Sequence, residues 1–252
     1  MIYQPTIAIG LILGTLLPAF AGSPAVTPQP QVSPAPSLSS ISYDYVEASY
    51  SHAWLNDTPL DLFDQQDGYA IGLNKSIGQN MFLFAGFNQY FASESGRINA
   101  FGYDVDASGD MNTLGAALGL GFHVPVTKNI DWVIQAGGTY SRLEVDAAAS
   151  AYGYRLELDE AILADGFGVQ ASTGFRIACT SWLELELFYQ YGWSNVDLQF
   201  LGEDVGSADA DVHTGKAAII FRNVGVQNLD LVLSGFVAES VRSANAGLRF
   251  NF

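Results

Sequence analysis

The sequence predicts an all-β fold, a ten-stranded antiparallel up-and-down transmembrane β-barrel, and three observations carry that expectation. Apolar residues recur at every second position in one segment after another. Short connections alternate with long acidic ones along the chain. No apolar run in the body reaches the ~20 residues that a spanning helix needs, so any membrane-facing surface has to be carried on strands.

The chain opens with its longest apolar run, "TIAIGLILGTLLPAFA", which ends in the small-x-small pattern Ala19, Phe20, Ala21. This reads as a secretory signal peptide over residues 1–21, cleaved after Ala21, although "MIYQPT" carries no Lys or Arg. An uncleaved anchor is the competing reading, and an apolar core shorter than a bilayer span argues against it. Residues 22–40, "GSPAVTPQPQVSPAPSLSS", are rich in Pro and Ser without apolar period. Such a segment buries too little surface to fold and is expected to be an extended linker. The folded domain is expected over residues 41–252.

Within that domain the alternation is plainest in "WLELELFYQYGWS". Leu183, Leu185, Leu187, Tyr189, Tyr191 and Trp193 share one face, with Glu184, Glu186, Gln190 and Ser194 on the other. The same pattern sets Leu114, Leu118, Leu120 and Phe122 against Thr113, Gly115 and His123, and sets Leu248, Phe250 and Phe252 against Gly247, Arg249 and Asn251. Strands are expected near residues 41–55, 67–77, 81–93, 111–124, 130–144, 165–178, 182–198, 212–223, 228–238 and 241–252. The first three alternate least; "MFLFAGF" is apolar on both sides.

Connections after the even-numbered strands are short: "GQN", "PVTKN", "CTS" and "GVQN". Those after the first, third, fifth and seventh are long and acidic, as in "SESGRINAFGYDVDASGD" and "QFLGEDVGSADAD", while the final link, around "ESVR", is short and is the one exception on that side. A soluble sandwich has no reason to segregate loop length in this way, whereas a membrane barrel does. The polar faces then point into a lumen. Glu47, Gln135, Gln170, Arg176, Glu184, Glu186, Gln190, Lys216, Arg222, Asn245 and Arg249 are expected there, both signs of charge together. Lys75 falls on the oily parity, close enough to a short turn to reach the headgroups. Trp132, Tyr140, Tyr189, Tyr191, Trp193 and Phe252 fit interfacial girdles.

Charge excludes one class of partner. With 26 acidic against 10 basic residues the formal net charge is -16, which opposes nucleic acid. A single cysteine, Cys179, rules out an intramolecular disulfide and is expected to be a small buried or lipid-facing hydrophobe.

With a signal peptide, alternating strands and a last strand ending "GLRFNF", the sequence resembles Gram-negative outer-membrane β-barrel proteins of the porin-like group. The phrases "YDYVEASYSHAWL", "DGYAIGLNKSI" and "LGAALGLGFHVPV" are similar to repeats in small members, and the likeness covers residues 41–252. It implies outer-membrane localisation, a tail in the periplasm, long acidic loops outside, and contact with membrane lipid and lipopolysaccharide. It further implies engagement of the barrel-assembly machinery through Leu248, Phe250 and Phe252, and a monomer.

Two constellations carry candidate chemistry. "DVDASGD" places Asp104, Asp106, Ser108 and Asp110 at alternate positions with Gly109, like the start of a calcium loop, but Gly115 stands where its twelfth-position acid belongs. The second is a resemblance to omptin proteases, ten-stranded barrels with an Asp pair on one loop and an Asp-His pair on another. Asp104 and Asp106 on the second long connection, and Asp211 and His213 on the fourth, would match that order. A His held by a carboxylate can act as general base. His52 and His123 lack companion ligands and are read as rim or lumen residues. The reading that absorbs most of the sequence is non-enzymatic: a structural or surface-interacting barrel with at most a narrow pore, no catalytic residue, no metal and no cofactor. A small-solute porin is the alternative, and an omptin-like protease the second.

Overall fold

The computed structural model describes residues 41–56, 63–100, 103–151 and 154–252. The expected signal peptide and linker, residues 1–21 and 22–40, lie outside these described residues. Ten strands account for nearly all of the rest. They are β1 (Tyr45–Leu55), β2 (Gln65–Ser76), β3 (Met81–Ala100), β4 (Tyr103–Thr127), β5 (Ile130–Ala151), β6 (Tyr154–Ala178), β7 (Leu183–Phe200), β8 (Glu203–Phe221), β9 (Leu229–Val237) and β10 (Val241–Asn251). Each pairs antiparallel with its sequence neighbour, and β1 pairs with β10 from Tyr45↔Asn251 to Leu55↔Val241, closing the ring. Closure leaves no sheet edge within the membrane-spanning band, which is the condition for strands to cross hydrocarbon.

The alternation read from sequence is the alternation of the wall. Outward-pointing Leu118, Leu187, Leu233, Leu248 and Phe250 are each at least two-fifths exposed. A belt of bare aliphatic and aromatic side chains around a closed ring is far larger than the patches a soluble monomer carries, so hydrocarbon is its solvent. This is a transmembrane β-barrel. Tyr50, Trp54, Tyr69, Phe91, Tyr189, Tyr191 and Trp193 edge the belt on one side, and Trp132, Trp182 and Phe252 on the other. Lys75 reaches Asp44 at 2.9 Å and lies over the Phe252 ring at 4.9 Å, at the belt's margin as expected.

The mouth with the short turns also holds the start of β1 and Phe252, and is called the near mouth. At the far mouth the long acidic connections are mostly not loops. They continue the ladder, so β3–β4, β5–β6 and β7–β8 are tall hairpins, and β4 and β6 run for 25 residues each. A tilted strand crosses hydrocarbon in about 9–11 residues, leaving more than half of each outside the belt. The physical reason is that Ala, Ser, Gly and Asp at these tips pair without burying a core, and hydrophobic periodicity has nothing to mark there. A bulge between Val145 and Ala147 breaks the β5–β6 register, with Glu160 opposite at φ 48° and its amide donating to Asp146 Oδ1 at 2.7 Å.

"MFLFAGF" is apolar on both sides because the lumen wants it so. Phe82 and Phe84 point inward and are fully buried. Their registered neighbours on β4 are Gly121 and Gly119, and a Cβ on Gly121 would stand 2.0 Å from Phe82 Cζ. Glycine there makes room for a ring lying flat against the wall.

Candidate functional site

The lumen is filled in three layers. At the near end, an alternating chain of ion pairs runs across the strands. Arg222, just past β8, donates from Nε to Glu184 Oε2 at 3.0 Å. Glu184 Oε1 accepts from Arg176 Nε at 2.5 Å, and that guanidinium also lies 3.2 Å from Glu186 Oε1. Glu186 Oε1 accepts from Arg249 Nη1 at 3.1 Å, and Arg249 Nε donates to Glu47 Oε2 at 2.8 Å. Three arginines and three glutamates from β6, β7, β10, β1 and the turn after β8 thus neutralise one another. Arg176, Glu184, Glu186 and Arg249 are all buried, and burial at such cost is tolerated because each charge has opposite partners on two sides or, at the chain's ends, a contact of two guanidinium nitrogens with one carboxylate oxygen.

Across from this chain the near lumen is aromatic. Ile41, Tyr43, Phe82, Phe84, Ala117, Val133, Ala178 and Phe188 form one buried cluster. Ile41 and Tyr43 precede β1, so the chain crosses the near mouth before entering the wall. Tyr43 stacks on His123 with ring centroids 4.6 Å apart and on Phe82 at 5.2 Å. Its other side faces the Arg176 guanidinium, 4.5 Å from the ring centroid. Arg176 Nη1 donates to the Ser42 carbonyl at 2.9 Å, which ties this crossing segment to the ion-pair chain. His123 lies 3.3 Å from Asp131, both buried.

A neutral polar layer follows, in which Ser172 Oγ donates to Gln135 Oε1 and Gln190 Nε2 to Gln170 Oε1, each at 3.0 Å. The far end is apolar. Ala53, Leu55, Phe63, Ala92, Met111, Leu143, Val145, Ala164, Val196 and Val241 pack together. Phe63, from the connection between β1 and β2, is 4% exposed and seated in that cluster.

All eleven polar residues expected in the lumen face inward, Lys216, Arg222 and Asn245 being half-buried and the rest buried. Sequence reasoning missed the crossing segment and Phe63. The signal for the former was present: Ile41, Tyr43 and Tyr45 continue the inward parity of β1 past its first residue.

The acids of "DVDASGD" lie along a strand. Asp104, Asp106, Ser108 and Asp110 lie on the regular strand β4, in register with Asn99, Arg97, Ser95 and Ser93. Alternate residues on a strand stand roughly 6.6 Å apart at about 3.3 Å per residue, so the acids are strung out where a calcium loop would curl them inward. Among the described residues no group of three metal-ligating side chains gathers.

The Asp-His pair of the omptin-like alternative turns outward. Asp211 and His213 keep a 3.8 Å contact but are exposed, on the parity that faces away from the lumen. Tyr189 hydrogen-bonds His213 Nδ1, and the Tyr191 ring centroid lies 5.2 Å away. His213 therefore belongs to the outer aromatic girdle. His52 does too: Asp67 Oδ1 is 2.7 Å from its Nδ1 and accepts from the Tyr50 hydroxyl at 2.5 Å. Cys179 is exposed in the turn after β6, neither buried nor in the belt.

No family model matches the sequence, and no curated protein sequence does. Solved structures match in fold. The translocator domain of the autotransporter NalP from Neisseria meningitidis is 10% identical, with 83% of this chain covering 88% of that one at a TM-score of 0.50. The chain has the outer-membrane β-barrel fold. The outer-membrane protease OmpT from Escherichia coli is 10% identical over 83% of this chain and 97% of its own, TM-score 0.47. Neisserial surface protein A is 15% identical over 84% and 98%, TM-score 0.35. At these identities the likeness is to the outer-membrane barrel fold and not to an activity.

Proposed function

We propose that this protein is a closed outer-membrane barrel whose role is structural or surface-interacting, without enzymatic activity and without solute conduction. One observation carries the reading: the ion-pair chain from Arg222 to Glu47 and the crossing segment at Tyr43 meet through Arg176 and fill the near lumen. A porin keeps an aqueous path lined by polar side chains, and here the polar groups are spent on one another. The outward orientation of Asp211 and His213, away from the lumen, supports a reading without hydrolysis. The tall acidic hairpins face outside and the Pro-rich tail stays in the periplasm. Outer-membrane lipid and lipopolysaccharide surround a monomer, and its last strand, ending in Phe252, addresses the barrel-assembly machinery.

Planar bilayer recording on the purified chain tests this reading. Silence is expected across the voltage range. Discrete conductance steps, changed in size or selectivity by Glu184→Gln, would establish the small-solute channel instead.

A further inference from the structure

The barrel wall is not level at its far mouth. β8 is paired with β7 up to Phe200↔Glu203, apart from one irregularity at Leu198/Gln199. Its pairing with β9 runs only from Phe221↔Leu231 to Gly215↔Val237. There β9 ends, and Ala238 donates to the Val241 carbonyl at 2.8 Å as the chain turns into β10. Among the described residues, 203–214 are thus strand on one side and open on the other, about 40 Å of edge at roughly 3.3 Å per residue. An edge strand offers backbone N–H and C=O groups to any extended chain laid beside it.

The side chains along this edge select what can lie there. Glu203, Asp204, Asp209 and Asp211 are exposed, and the stretch contains no Lys or Arg. Asp209 accepts from Asn195 Nδ2 at 3.0 Å and Asp211 approaches His213 at 3.8 Å, so neither is neutralised by a permanent cation. Ser207, Asp209 and Asp211 share the outward face, and beyond the irregularity Asp204 stands opposite Gln199. Ala208, Ala210 and Val212 form the other, where small side chains leave room for β-branched ones opposite. A second copy of this edge would set carboxylates against carboxylates, so the charge that invites a basic chain also prevents edge-to-edge self-association.

We infer that residues 203–214 are a docking edge for an extended cationic polypeptide segment, which joins β8 as an added strand in line with β9. Backbone hydrogen bonds supply the affinity of such strand addition, and the alternate side chains supply the choice of partner. The inference rests on the surface-interacting reading above and names the kind of partner that surface takes.

The test uses the full chain in detergent micelles and a decapeptide of alternating Lys and Val, with a control peptide of the same sequence and charge methylated at every backbone nitrogen. Binding is expected to slow amide hydrogen exchange within residues 203–214, and the methylated peptide is expected not to. Asp209→Asn with Asp211→Asn should weaken the Lys-Val peptide roughly three- to tenfold, the loss of two cross-strand charge pairs. Equal binding by the methylated peptide, or no protection in this stretch, would overturn the proposal. Neither result depends on conductance, so the docking edge and the closed lumen fail separately.

Discussion

Arg176 is the residue on which the near lumen turns. Its guanidinium touches Glu184, Glu186, the Ser42 carbonyl and the face of Tyr43. Taking one charge from such a chain leaves its partners buried and uncompensated, which costs about 3–5 kcal/mol. Glu186→Gln is expected to lower stability by that order, because both Arg176 and Arg249 lose a carboxylate at about 3 Å. Urea titration of the heat-modifiable folded form measures it; an unchanged midpoint would mean the network is ornamental. Packing makes a second prediction. Gly121→Ala pushes a methyl into the Phe82 ring, and overpacking of this kind costs about 1–3 kcal/mol. Adding Phe82→Ala should recover part of that loss, so the two changes are coupled in a double-mutant cycle. Strict additivity would contradict the contact. At this scale the sequence was informative about direction and silent about partners. Parity placed Glu184, Glu186 and Arg249 inside, but which carboxylate meets which guanidinium depends on strand stagger around the ring, and single-strand periodicity holds no record of stagger.

Among elements, all ten strands were legible, and their lengths were not. Alternation marks a strand only where one face meets hydrocarbon and the other the lumen. β3 to β8 continue beyond that zone, and there both faces meet water or each other. The hairpin above the bulge at Val145 and Ala147 therefore contributes reach and little barrel stability. Excising residues 147–158 and closing the gap with a short turn should leave the fraction of assembled, heat-modifiable barrel unchanged. Loss of assembly would show that the hairpins help hold the ring together. The candidate acids were read from spacing alone for the same reason. Asp104, Asp106 and Asp110 look like a loop when spacing alone is read, and extended pairing with β3 straightens them. His213 was read beside Asp211, and its parity, readable from Val212 and Thr214 as inward neighbours, turns it outward.

For the whole molecule the decisive quantity is which solvent touches the outer wall. The closed ring, the belt of exposed Leu118, Leu187, Leu233 and Leu248, and the girdles on either side are consistent only with a chain embedded in hydrocarbon. The proposed closure of the lumen by its own charges and by residues 41–44 agrees with the small diameter of ten strands, which interior side chains can fill. Spin labels placed singly at these four leucines, in the chain reconstituted into lipid vesicles, address the claim most directly. Relaxation by dissolved oxygen should be strong and relaxation by a water-soluble nickel chelate weak at all four. Strong nickel relaxation would put the belt in water, and protection from both reagents would put another protein layer against it; either result contradicts the account.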